Sequence, residues 1–315
     1  MTRILAVLVL LAATAVATAE DKIIVSGASG QLGGLVVEAL LARKVAPRDL
    51  ILVSRTPETL KQYADRGASV RFGDFTRPES LAEAYKGGTR MLLISVNAGG
   101  ERRPELHKTA IDAAVAAGVK QIAYTSYVNA DRFTDSIIAG DHLRTERYLQ
   151  ESGVAWTMLR NQIYADGLPD QAEQIVRDGK LVTSTPDARV AYVTRTDGAA
   201  AAAAGLTTPG HENKAYNITG PDAIGPRELV ALASEISGKR VELVVLDEPA
   251  YRKYLLANGT PETAVNGALS FAAELNSSYL REPSTAVKDL TGKPATSVRA
   301  LLLASKKRLV AAAKK

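Results

Sequence analysis

The 315-residue sequence predicts an α/β fold: a doubly wound, mainly parallel sheet followed by a smaller C-terminal α+β substrate-side region. Three observations predict it. Apolar runs of strand length alternate with helix-periodic segments across residues 22–159. Those runs are nearly continuous in apolar residues, as strands covered on both faces are. A glycine-rich turn joins the first strand to the first helix.

In chain order, Lys22-Ile-Ile-Val25 is a strand ending at Gly27, and Leu32, Val36, Val37, Leu40 and Leu41 mark a helix to Arg43. Leu50 to Val53 is a second strand, Pro57 to Ala64 a helix opened by Thr56, and Ser69 to Phe72 a third strand. Met91 to Ile94 and Gln121 to Thr125 are further buried strands, separated by a helix from about Glu105 to Ala117 that closes at Gly118. A helix from Ala139 to Ser152 then leads into a sixth strand, Val154 to Leu159. Such alternation implies right-handed parallel crossovers. Beyond residue 160 the pattern is less regular, with helices at Gln171 to Arg177, Arg227 to Ser237 and Pro249 to Ala257, and an extended segment at Lys239 to Val245. The alanine run Ala199 to Ala204 also falls where a helix is expected. The organisation expected is a leader over residues 1–19, a nucleotide-binding domain over 20–160, a mainly substrate-side region over 161–302 with segments returning to the sheet, and a basic tail over 303–315.

Composition narrows the function. Net charge is +5, but Lys306, Lys307, Arg308, Lys314 and Lys315 crowd the last ten residues, and without them Lys plus Arg equals Asp plus Glu. The body is therefore neutral, which argues against a nucleic-acid face, and the tail reads as a solvated, frayed end. Absence of cysteine removes disulfides and thiolate chemistry, and three scattered histidines make a metal site improbable. At the N-terminus, Arg3, an apolar stretch from Ile4 to Ala17 and Ala17-Thr18-Ala19 before Glu20 have the outline of a secretory signal peptide. Cleavage would make the protein periplasmic or secreted. The competing readings are an uncleaved anchor or a start assigned too early, leaving the chain membrane-anchored or cytoplasmic. No later segment is expected to span a membrane.

The sharpest local signal is Gly27-Ala28-Ser29-Gly30-Gln31-Leu32-Gly33 at the first strand-helix junction. Glycines let backbone approach a pyrophosphate, and free N–H groups at a helix start stabilise its charge. Within a βαβ context this is the dinucleotide-binding arrangement of the Rossmann fold. The second strand ends Val53-Ser54-Arg55 with no carboxylate before Glu58, so it lacks the acidic group that holds a free ribose. Arg55 offers a planar cation suited to a 2′-phosphate, which favours NADPH over NADH. After the third strand, Asp74 and Phe75 either bracket the adenine or simply cap a turn.

Further matches, Ile122-Ala-Tyr-Thr-Ser126, His142 with Thr145-Glu146, and Thr157-Met-Leu-Arg-Asn161 with Tyr164, complete a pattern running from about residue 22 to 302. The chain resembles the NmrA-like atypical short-chain dehydrogenases, and within them the bacterial NADPH-dependent quinone oxidoreductases of type 2. The resemblance implies a cofactor held by Gly27, Ser29, Gly30, Gln31, Leu32, Gly33 and Arg55, with Ser95 alongside it. Asn161, Gln162, Ile163 and Tyr164 would line the nicotinamide end, and a quinone-like acceptor would lie in the cleft. The leader is a departure from these relatives, which are generally cytoplasmic.

Other short-chain dehydrogenases use a Tyr with a Lys four residues on. None of the eleven tyrosines here is followed by Lys at that distance. Tyr164, Tyr127 and His142 remain weak catalytic candidates. The expected activity is hydride transfer from NADPH to a quinone or similar conjugated acceptor, for which proximity and orientation suffice. The alternative is an NADP(H)-sensing regulatory protein of the NmrA type without turnover. A homodimer is compatible with either.

Overall fold

A computed structural model describes residues 21–132 and 136–314. The leader reading of residues 1–19 lies outside the described residues. Six strands follow the expected order: β1 (Ile23–Ser26), β2 (Leu50–Ser54), β3 (Ser69–Phe72), β4 (Arg90–Leu93), β5 (Gln121–Tyr127) and β6 (Ala155–Asn161). Then β7 (Lys180–Thr183) leaves the sheet, β8 (Lys214–Ile218) returns to it beside β6, and β9 (Glu242–Val245) pairs with β7. The main sheet is parallel throughout in the order β3-β2-β1-β4-β5-β6-β8. Its order reverses direction between β1 and β4, which opens a crevice at the carboxyl ends of those strands.

Helices cover both faces. In chain order they begin α1 (Gln31–Ala42), α2 (Lys61–Ala64), α3 (Glu79–Tyr85), α4 (Arg102–Ala116), α5 (Ile137–Glu151), α6 (Leu168–Asp178) and α7 (Arg195–Thr207). There follow α8 (Pro226–Ser237), α9 (Glu248–Ala257), α10 (Glu262–Leu275), α11 (Ala286–Thr291), α12 (Val298–Ala304) and α13 (Lys306–Ala312). One face of the sheet buries Val36, Val37 and Leu40 of α1 with the alanines of α7 and Val287 of α11. The other buries Leu81 and Tyr85 of α3, Ala110, Ile111 and Ala114 of α4 and Leu149 of α5. The small side chains of α7 let it lie directly against α1, so the alanine run is core rather than spacer. A separate cluster joins α6, α8, α12 and α13.

Two expectations are corrected. The segment Pro57–Leu60 is a 3-10 turn, and only one α-helical turn, α2, follows it. The basic tail is not frayed: in α13, Leu309 and Ala312 are buried, and Arg308 pairs with Asp170 at 2.5 Å and Glu173 at 2.7 Å on α6. Counting its charges hid an amphipathic helix. Among the described residues no helix is long and apolar enough to cross a membrane.

Candidate cofactor site

The glycine loop is built by backbone geometry. Gly27 has φ +97°, a conformation that side chains disfavour, and its N–H donates to Val53 O at 3.0 Å. Gly30 then caps α1 in extended conformation, its N–H donating to Gly27 O at 3.1 Å. At Gly33 a Cβ would sit 2.2 Å from Gly27 O and 2.8 Å from Ala28 Cα, so only glycine lets the helix pack this close to the loop. The first turn of α1 carries no acidic residue, leaving its partial positive charge free for an anion. Ser29 Oγ meets Ser54 Oγ at 2.6 Å and ties the loop to the end of β2.

A cleft of about 390 Å³ opens beside this loop and brings together Gly27, Ser29, Gly30, Arg55, Asp74, Phe75 and Ser95. Arg55 is exposed at its rim. The loop after β3 presses on β2, since a Cβ on Gly73 would lie 2.5 Å from Val53 Cγ1. Asp74 caps its own turn: Oδ1 accepts from the Thr76 N–H and Oγ1–H, both at 2.9 Å. Those bonds, the backbone one foremost, hold its carboxyl below the usual range, with Arg55 and Arg77 adding to the effect. Asp74 thus shapes the turn while lining the cleft. Sequence reasoning missed Arg102, a second cation on the lining, although its place just after Gly99-Gly100 marks a loop-to-helix entry.

The floor of the cleft at Ser95 and Val96 is clamped by three bonds from two elements, β5 and α4. Ser95 N–H donates to Thr125 Oγ1 of β5 at 2.9 Å, and Val96 N–H donates to His107 Nε2 of α4 at 3.0 Å. Arg103 Nε donates to Val96 O at 3.3 Å. Because Nε2 accepts, the His107 proton sits on Nδ1, within 3.0 Å of Thr145 Oγ1 and 3.3 Å of the Tyr124 hydroxyl. The Tyr124 hydroxyl also meets His142 Nδ1 at 2.7 Å. His107 was not singled out from sequence, yet it shares the buried helix face of Ala110, Ile111 and Ala114, and that spacing was the available signal.

Burial first, and then the Arg103 cation, push the His107 imidazole down from 6.5 to about 3; His142 is lowered for the same reasons. Both are therefore neutral in the folded chain and protonate more readily when it unfolds. The contribution of His107 is fully present above pH 6.5 and is lost as pH falls toward 3, and that of His142 is lost in the same direction. His107 alone is expected to remove up to about 5 kcal/mol over that window. Urea unfolding at pH 7.5, 6, 5 and 4 checks this, and His107→Gln should flatten the curve. A wild-type curve with no loss down to pH 4 contradicts the buried neutral pair.

Asn161, Gln162, Ile163 and Tyr164 do not line this cleft; β6 ends at Asn161, in register with Tyr127 at the end of β5. Asn161 Oδ1 is buried and has no hydrogen-bond partner. Gln162 serves the chain itself: its Nε2 donates to Leu280 O and its Oε1 accepts from the Ile163 N–H. The Tyr164 ring lies under the Arg195 guanidinium at 4.7 Å, and burial raises its phenol. Leu32 and Gly33 are buried in the α1 packing, whereas Gln31 is exposed at the helix start.

None of the three weak catalytic candidates lines the cleft. Tyr127 donates to Glu274 at 3.4 Å and stacks on His142 at 5.9 Å. Glu146 and Arg160 form a buried two-bond ion pair, to which Ser126 donates at 2.6 Å, so these residues brace β5 against β6.

Residues 27–209 match the NAD(P)H-binding family. The chain is 34% identical to quinone oxidoreductase 2 of Escherichia coli K12 over 277 residues, 88% of this chain and 96% of that protein. It is similar to the crystal structure of Citrobacter sp. triphenylmethane reductase complexed with NADP(H), with TM-score 0.83, 32% identity and coverage of 90% and 99% of the two chains. The NADPH complex of the E. coli NADPH-dependent quinone oxidoreductase gives TM-score 0.82 and 32% identity, with coverage of 91% and 99%. The cradle at β1 and α1 thus sits in a chain that, by its sequence along most of its length, belongs to the NAD(P)H-binding, NmrA-like oxidoreductases.

Proposed function

We infer that the protein is an NADPH-dependent reductase that delivers hydride to a quinone or similar conjugated acceptor. The observation that carries this is the intact pyrophosphate cradle with Arg55 at the end of β2, in a chain without the Tyr and Lys pair. Gly27, Ser29, Gly30 and the α1 start would hold the pyrophosphate, Arg55 the 2′-phosphate, and Ser95 the middle of the cofactor. Asn161, whose Oδ1 is buried and unpartnered, would accept from the carboxamide.

When bound, NADPH supplies a hydride. The acceptor takes that hydride and one proton from solvent, giving a hydroquinone and NADP⁺. A quinone needs no strong acid for this, so the neutral, internally bonded His142 and Tyr127 are consistent with the reaction. The protein's task is then to align the two rings and exclude competing geometries. The names of the relatives, a quinone oxidoreductase and a triphenylmethane reductase, support a conjugated acceptor.

Steady-state NADPH oxidation with small benzoquinones tests the reading, with saturable turnover expected. NADPH binding without turnover across a broad acceptor panel defeats it and favours the sensor alternative. The compartment is a separate matter: mass spectrometry of the native N-terminus should find Glu20 first if residues 1–19 are a cleaved leader.

A further inference from the structure

A second cavity, of about 280 Å³, lies among α6, β7, α8, α9 and α10 and shares no lining residue with the cofactor cleft. Among the described residues, none that lines it carries a formal charge. Its walls are Leu168, Leu181, Val190, Tyr192 and Leu229, and its polar groups are the hydroxyls of Thr183, Ser184, Thr185 and two tyrosines and the amide of Gln171. The cover is one face of α10, where Ala268, Phe271, Ala272 and Leu275 recur at helical spacing, with Tyr251 of α9 beside them. This face is incompletely covered: Phe271 is 41% exposed, and Val265 is the buried residue of α10.

The position of the cover is fixed relative to the sheet. Glu274 Oε1 accepts from Ser136 at 3.0 Å, from Tyr127 at 3.4 Å and from the Tyr279 hydroxyl. Tyr127 ends β5 in register with Asn161, so this carboxylate ties α10 to the strand ends at the proposed nicotinamide side. Val190 of the cavity wall packs in one cluster with Tyr127, joined by Tyr192, Leu275 and Ile163.

The geometry points to this cavity as the seat of the acceptor's ring system, with α10 as its wall, and to an uncharged, flat aromatic carbonyl compound of one or two rings as the ligand it takes. This rests on the reductase reading above. The volume falls just below the roughly 300–1,000 Å³ usual for small-molecule sites, which limits ring count. Hydroxyls can donate to a carbonyl, while an anionic or cationic group would lose its hydration and find no partner.

The test compares naphthoquinone with its sulfonate. Wild type should prefer the uncharged compound in kcat/KM by roughly tenfold or more. Ala268→Phe, which fills the space, should raise its KM roughly tenfold, while NADPH affinity stays within about twofold. Phe271→Arg, at an exposed position that tolerates charge, should shift the ratio toward the sulfonate by roughly tenfold. Equal handling of the two compounds by wild type, or variants that leave acceptor kinetics unchanged, overturns the proposal. If no quinone is reduced at all, the reductase reading fails, and calorimetric binding of naphthoquinone still decides the cavity: uptake abolished by Ala268→Phe upholds it, and no uptake, or uptake untouched by the variant, rejects it.

Discussion

Replacing Arg55 by glutamate is expected to weaken NADPH binding about 100-fold while changing NADH binding by no more than about threefold. Arg55 stands exposed at the end of β2 on the rim of the cleft, where the adenosine ribose of a dinucleotide would lie. A charge-assisted hydrogen bond is worth about 1.5–3 kcal/mol, and reversal adds repulsion between carboxylate and phosphate. Screening by solvent keeps the sum near the lower part of what those two effects could reach. The NADH arm isolates the 2′-phosphate from general damage. Equal losses for both nucleotides would point to a disturbed loop, and unaltered NADPH affinity would remove Arg55 from the site.

Gly33→Ala should cost about 3 kcal/mol of stability and lower NADPH affinity more than roughly tenfold, because both effects come from one clash. The added methyl would meet backbone, Gly27 O at 2.2 Å and Ala28 Cα at 2.8 Å, and backbone at a tight turn cannot rotate away. Helix α1 must retreat from the loop, and its N-terminal N–H groups retreat with it. Gly34→Ala is the control at the next position. A Cβ there meets nothing within 4 Å, so helix propensity should make it neutral or stabilising by up to about 1 kcal/mol. Urea unfolding and NADPH titration of both variants read the contrast. Two variants that behave alike would show that the close approach at Gly33 is not what shapes the cradle.

The half of the molecule that binds nucleotide was legible because its strands are covered on both faces. Ile23–Ser26, Leu50–Ser54 and Arg90–Leu93 are almost wholly buried, so their apolar runs are uninterrupted and easy to see. The edge strand β8 escaped notice for the opposite reason. Its residues Lys214-Ala-Tyr-Asn-Ile218 run from exposed to buried, and the periodicity carries little signal. Helix α13 was hidden by its lysines, since burial depends on Leu309 and Ala312 alone and on ion pairs to α6 that only the fold creates.

The candidate site divides along the same line. Glycine positions and Arg55 are local signals, because strand, turn and helix are contiguous in sequence. The clamp on Val96 sets Arg103 and His107, one turn apart on α4, against a loop that precedes the helix, and the Glu274 latch joins positions more than a hundred residues apart. Neither carries a sequence motif. Asp74 shows how one residue can satisfy two readings that the sequence left open, turn cap and cleft lining, since its Oδ1 bonds shape the loop that places it there.

The central claim is that a phosphorylated dinucleotide docks where β1 passes into α1. Calorimetric titration of the wild-type protein with NADPH and with NADH tests it most directly. The account predicts one site per chain, with NADPH bound roughly tenfold or more tightly than NADH. No heat of binding for either nucleotide, or equal affinity for the two, would contradict it.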